Sequence, residues 1–125
     1  MKYITKYKSP NYNSRKNSKI KLIIIHYTAL DNYSDAISYL CNKDKKVSSH
    51  FLISQEGGIY YLVDEKFRAW HAGISYWQGI TDINSISLGI ELDYSPHGEN
   101  NKFSFKMINS LKKLILKLQK KYLII

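Results

Sequence analysis

Apolar residues recur along this chain with two different periods, and the switches between them mark its elements. The stretch Ile20-Lys21-Leu22-Ile23-Ile24-Ile25-His26-Tyr27 is almost unbroken and β-branched. It predicts a strand buried on both faces. A polar interruption from Thr28 to Asn32 follows, and then Ala36, Ile37, Leu40 and Cys41 recur at three- and four-residue spacing. That spacing predicts a short amphipathic helix over 34–42. Phe51 to Gln55 and Ile59 to Val63 flank Glu56-Gly57-Gly58, the pattern of a hairpin whose glycines supply the turn. Residues 86–92 read as another buried strand. A long helix is predicted from Ser104, a suitable N-cap, with Met107, Ile108, Leu111, Leu114, Ile115, Leu118 and Tyr122 on one stripe and lysines over the rest. Strands mixed with helices give an α/β or α+β fold, a mixed sheet with helices packed on it.

Two segments have no clean period. Residues 1–18 are polar and rich in Tyr, Asn and Ser around Pro10, and are read as an extended N-terminal arm preceding a domain over 19–125. Residues 64–84 carry Trp70, His71, Gly73, Tyr76, Trp77 and Gly79, the composition of a binding loop.

Length and composition narrow the picture only a little. The 125 residues allow one domain, 44% hydrophobic and 23% charged. The net charge of +9 raises the question of nucleic acid, but the lysines lie in the arm, in a short run at 43–46 and along one helix face. Such faces are ordinarily solvated, and an acidic peptide ligand suits the charge as well. No nucleic-acid partner is therefore expected. A single cysteine, Cys41, excludes an internal disulfide. The N-terminus lacks the apolar core of a secretory signal and no run is long enough to span a membrane, so the expected location is the cytoplasm.

The candidate chemistry is two polar anomalies in apolar strands. His26 ends the first strand, where open sheets place their ligand sites; a hydrogen-bonded structural histidine is the competing reading. Glu91 stands inside Ser87-Leu88-Gly89-Ile90-Glu91-Leu92, where a carboxylate costs free energy unless a cation or donors compensate it. If the two strands are neighbours, an imidazole and a carboxylate meet, the pair needed for a metal site with a general base beside it. His26, His50 and His71 form a conceivable three-imidazole zinc set, although their spacing carries no local signature. HExxH, CxxC, P-loop and GxSxG patterns are absent.

Four ordered stretches carry a resemblance: Ser9-Pro10-Asn11 with Arg15; Leu22-Ile23-Ile24-Ile25-His26-Tyr27-Thr28-Ala29; Val47-Ser48-Ser49-His50-Phe51-Leu52-Ile53 with the Gly-Gly turn; and Arg68-Ala69-Trp70-His71-Ala72-Gly73 leading to Asn84 and the strand of Glu91. Each is weak singly. As an ordered set over residues 9–92 they resemble the N-acetylmuramoyl-L-alanine amidase type 2 family, whose members include anhydro-muropeptide amidases, phage lysozyme-type amidases and peptidoglycan recognition proteins. The resemblance implies a mixed central sheet flanked by helices, with zinc in a surface groove. It implies hydrolysis of the amide between the lactyl group of N-acetylmuramic acid and L-alanine in peptidoglycan or muropeptides. His26 matches the family's first zinc ligand and Glu91 its catalytic glutamate. Trp70, His71 and Asn84 match groove positions that contact substrate, and His50 matches a packing position. Where the phage-type branch uses a tyrosine, this chain has Ser49, which favours the glutamate branch.

One departure is large. The resemblance places a further strand and a His-Ser-Asp-x-x-x-x-x-Lys-x-Asp-Pro-Gly loop after the long helix, bearing the second and third ligands and a lysine. The sequence reads Lys121-Tyr122-Leu123-Ile124-Ile125 there, and His97 precedes the helix. The expectation is an amidase-like domain incomplete at its C-terminus, with one of three zinc ligands and impaired activity. A complementing C-terminal polypeptide or a non-catalytic muropeptide-binding role follows as an alternative. The apolar end at 123–125 is expected to invite aggregation or a partner.

Overall fold

A computed structural model describes residues 1–124. Eight regular elements form a four-stranded mixed sheet between two helices and a separate two-stranded sheet: β1 (Tyr12–Ser14), β2 (Leu22–Tyr27), α1 (Tyr33–Leu40), β3 (Phe51–Ile53), β4 (Ile59–Tyr61), β5 (Phe67–Ala69), β6 (Ser87–Leu92) and α2 (Phe105–Tyr122). Single 3-10 turns stand at Lys43–Lys45 and Ile83–Ile86. The main sheet has the order β2-β6-β3-β4. β6 runs parallel to both β2 and β3, and β3 and β4 form the antiparallel hairpin.

The strand period of two decides what each face of the sheet becomes. Leu88, Ile90 and Leu92 of β6 point with Phe51, Ile53 and Ile59 into a core closed by Met107, Leu111, Leu114 and Leu118 of α2. The helix predicted from its apolar stripe is thus a core-docking helix. Ser104 caps it, its Oγ accepting from the Met107 N–H at 3.1 Å. The opposite face carries a second cluster, where Ala36, Ile37 and Leu40 of α1 pack on Leu52, Tyr60 and Leu62. Asn32 caps α1 by accepting from the Asp35 N–H.

β2 departs from its expected burial. It is an edge strand whose only neighbour among the described residues is β6, and Ile25 keeps 45% of its surface exposed. An apolar run cannot report which neighbour, if any, covers its second edge. The two segments without a period acquire structure by pairing. β1 lies antiparallel to β5, and Ile4 bridges to the hairpin, donating to the Ile59 carbonyl and accepting from the Tyr61 N–H. In the hairpin loop Gly57 takes a positive φ of 87°, and a Cβ there would lie 3.0 Å from the Lys106 carbonyl of α2. Of the apolar end, Leu123 is exposed, and residue 125 lies outside the described residues.

Candidate active site

β6 also sets the site. Its alternate residues Ser87, Gly89 and Glu91 face away from the α2 core, on the side of α1. Parallel pairing puts Leu22, Ile24 and His26 of β2 opposite them, with His26 in register with Glu91. On the other side Leu52 of β3 is in register with Glu91. The two anomalies of the sequence are therefore neighbours across one strand pair.

Glu91 is the most poorly compensated group of the site. Its Oε2 is buried and has no hydrogen-bond partner. Burial alone raises its pKa from the usual 4.5 to about 7. It lines a cavity of about 300 Å³ together with Thr28, Leu30, Leu40 and Val47. A carboxylate kept half-neutral at neutral pH beside open space is suited to taking up a proton.

The loop after β5 brings a second imidazole to the site. His71 lies with Nδ1 3.0 Å from Nε2 of His26, and its Nε2 is 3.0 Å from the Ser87 Oγ. The ring rests on Gly89, where a Cβ would come within 2.5 Å of the His71 Cγ, so only glycine leaves room. Burial, then the neighbouring His50, His26, Arg15 and Arg68, push the His71 pKa down to about 3. His26 is lowered as well, by burial. Both rings are neutral at neutral pH.

Asn84 holds that loop in place. It is 8% exposed, its Oδ1 accepts from the N–H groups of His71 and Ala72, and its Nδ2 donates to the Ala72 carbonyl. Its amide is thus committed to the loop backbone. Trp70 is half-buried at the rim, its indole N–H donating to Asn13 Oδ1 at 3.1 Å and its backbone N–H to Ser48 Oγ.

His50 is fully buried and both ring nitrogens are engaged. Nδ1 accepts from the Gly89 N–H at 3.1 Å, so the Nε2 proton goes to the Phe67 carbonyl at 2.8 Å. Burial chiefly lowers its pKa, to about 4. Arg15, buried beneath it, donates to the carbonyls of Glu65, Asn84 and Ser85, and desolvation brings its pKa down to about 10. Ser87, Gly89 and Arg15 were not expected as site residues. The small and polar alternation Ser87, Gly89, Glu91 against Leu88, Ile90, Leu92 was the readable signal for the first two; Arg15 stood in the first of the ordered stretches that carry the resemblance, without a role of its own.

The sequence matches, over residues 16–125, the family described as N-acetylmuramoyl-L-alanine amidase. The chain belongs to the N-acetylmuramoyl-L-alanine amidase family. It is 44% identical over 82 residues to N-acetylmuramoyl-L-alanine amidase AmiD of Escherichia coli (strain K12), a match covering 60% of this chain and 29% of AmiD. It is 31% identical over 127 residues to the 1,6-anhydro-N-acetylmuramyl-L-alanine amidase AmpD of Haemophilus influenzae, covering 87% of this chain and 69% of AmpD. The chain thus spans less than a third of the first of these relatives. A solved AmpD structure superposes with a TM-score of 0.83 at 23% identity, over 96% of this chain and 75% of that one, and shows the same fold. E. coli AmiD in complex with anhydro-N-acetylmuramic acid-L-Ala-D-gamma-Glu-L-Lys superposes with a TM-score of 0.76 at 32% identity, over 96% of this chain and 49% of AmiD.

Zinc is the metal expected of an amidase of this family, and the chain's donors match it in one corner only. The described hydrogen bonds of His26 use Nε2 alone, and the orphaned Glu91 oxygen stands in the neighbouring strand. His50 and His71 have both nitrogens engaged in hydrogen bonds. Among the described residues no group of three or more His, Cys, Asp or Glu side chains is placed to hold a metal. A zinc shell needs three or four such donors.

Proposed function

We propose that this chain carries the general-base half of an amidase centre that hydrolyses the amide between N-acetylmuramic acid and L-alanine in muropeptides. The observation that carries the reading is the pairing of His26 with Glu91 across β2 and β6, with the Glu91 Oε2 buried and unpartnered. In this reading His26 is one zinc ligand, and the remaining donors come from outside these 125 residues, in cis or from a complementing polypeptide. Zinc, when bound, supplies Lewis-acid polarisation and acidifies a water. Glu91 accepts the proton of the attacking water and passes it to the leaving L-alanine nitrogen, a transfer suited to a carboxyl whose pKa is raised to about 7. Asn84 and His71 keep the Trp70–Gly73 loop beside the groove, and Trp70 offers its half-buried ring to the sugar or peptide.

The test uses a MurNAc-L-Ala-containing muropeptide with zinc. The chain is assayed as it stands and fused to a His-Ser-Asp…Lys-x-Asp-Pro-Gly segment, and the freed L-Ala peptide is read by mass spectrometry. Turnover is expected in the fusion, and Glu91→Gln is expected to lower it by about 10²–10⁴-fold. No release from either form would defeat the proposal.

A second reading has its own support. The lack of a three-donor group among the described residues favours a module that binds muropeptides without cleaving them. Calorimetry with the same ligand in EDTA separates the two. Heat without turnover in any form supports binding alone, and metal-dependent release supports the amidase.

A further inference from the structure

α2 carries more apolar surface than the sheet covers. Met107, Leu111, Leu114 and Leu118 are buried in the core. At 3.6 residues per turn, Phe105, Ile108, Lys112, Leu116 and the capping Leu123 fall on a second stripe, turned outward beside the first. Phe105 is 86% exposed, Leu116 64% and Leu123 87%. The stripe continues into the bare edge of the sheet, because Ile115, Gln119 and Leu123 share a groove with Ile25 of β2 and with Trp77. Trp77 stands at the base of a two-residue turn, exchanging backbone hydrogen bonds with Ile80 across Gln78-Gly79, and the neighbouring Ile74 and Tyr76 are exposed.

The charges around this surface have one sign. α2 contains six lysines and no Asp or Glu. Those away from the outward stripe are occupied: Lys106 pairs with Glu56, Lys121 pairs with Glu65, and Lys117 donates to the Tyr3 hydroxyl. Lys112, Lys113 and Lys120, toward the outward stripe, make no ion pair among the described residues. Lys19 and Lys21 border the groove, and no acidic residue lines it. A nucleic acid would answer these charges but leave Phe105, Leu116 and Leu123 in water. A second copy would cover the apolar residues but set like charges against each other. An anionic bilayer answers both features at once: apolar side chains reach the acyl boundary, aromatic rings sit at headgroup level, and lysines meet lipid phosphates. We propose that the outward stripe of α2 and the groove beside β2 dock the protein on the surface of a membrane rich in anionic lipid. The docking is peripheral, because no described helix is long and apolar enough to cross a membrane. It is independent of the amidase reading.

The test sediments the full chain with vesicles of phosphatidylcholine alone or mixed with phosphatidylglycerol. Uptake is expected on the phosphatidylglycerol vesicles and should fall as sodium chloride is raised from ~0.1 M to ~1 M, where screening shortens the reach of the lysines. Lys112→Glu should weaken binding by roughly fivefold or more, the effect of one lysine at an anionic surface. Lys43→Glu makes the same change of net charge in the turn after α1 and should leave binding nearly unchanged. Leu116→Gln should weaken binding while the circular dichroism spectrum stays that of the parent, since the side chain is exposed. Brominated lipid should quench the tryptophan fluorescence, and Trp77→Phe should remove most of that quenching. Equal uptake by neutral vesicles overturns the proposal, as does a loss with Lys43→Glu that matches Lys112→Glu, which would mean diffuse charge and no docking face. Absence of uptake by anionic vesicles also overturns it. If, in addition, the lipid-free chain associates more strongly as salt rises, the face belongs to a second copy.

Discussion

At the scale of single residues, the site is an island of polar groups that the apolar sheet makes expensive. Glu91 is the clearest case, because its cost depends on pH in a defined sense. Its folded pKa, raised by burial, is about 7, against the usual 4.5. Below pH 4.5 the carboxyl is protonated in both states and carries no charge penalty. Between 4.5 and 7 the unfolded chain ionises first, so stability falls as pH rises. Above about 7 the folded state is ionised too and the full penalty, on the order of 3 kcal/mol, is present. Glu91→Gln removes the ionisation. In EDTA, urea unfolding should show the variant more stable than the parent at pH 8 by up to about 3 kcal/mol, with the difference vanishing near pH 4. Equal stability at both pH values would show that the carboxylate is compensated. Part of this was legible: a histidine and a glutamate in apolar strands stand out, although a hydrogen-bonded structural histidine competed as the reading of His26. The contacts behind His26 were not legible: they depend on Ser87 meeting Ile83 and His71 meeting Gly89, which only the folded chain brings about.

At the scale of elements, sequence reading succeeded where one local pattern suffices. α2 has an N-cap and a stripe at helical spacing, and the hairpin has its two glycines, so neither depends on distant residues. It was weaker for β1 and β5, three-residue strands joined across more than 50 positions, where too few residues exist to show a period. β6 is the buried strand expected, with only Glu91 partly exposed, but its alternation of small and polar with apolar residues, the property that separates core from site, went unread. Ser104 shows how these elements are tied together. Its Oγ accepts from the Met107 N–H and donates to the Gln55 carbonyl, linking the start of α2 to the β3–β4 loop. Ser104→Ala loses both interactions and should destabilise the protein by about 1–2 kcal/mol in urea denaturation. Ser104→Asp restores the acceptor but not the donor, and is expected to recover roughly half of the loss. Full recovery by Asp would show that the bond to Gln55 contributes nothing.

At the scale of the whole molecule, an open sheet edge and a high positive charge act against each other. β2 presents its second edge without a strand partner among the described residues, and beside it Leu22, Ile23, Ile25, Trp77, Ile115 and Leu123 line an apolar groove of about 720 Å³. Leu123 is 87% exposed. Bare edges of this kind template pairing with a second chain, and two copies of β2 meeting antiparallel would bury the groove about a twofold axis. Lys19 and Lys21 border the same groove, and the chain carries a net charge of +9. Repulsion between like-charged copies therefore opposes the pairing. Salt weakens that repulsion, since the screening length falls from about 10 Å at ~0.1 M to about 3 Å at ~1 M, and it strengthens apolar association little by comparison. The average mass measured by light scattering should thus rise as sodium chloride is raised across that range. Ile25→Lys adds a charge at the exposed centre of the edge and should hold the protein monomeric at both ends of it. The mutated side chain is already nearly half exposed, so folding stability should change by less than about 1 kcal/mol. A mass that ignores salt, or an Ile25→Lys variant that associates like the parent, would place the association elsewhere and remove β2 from it.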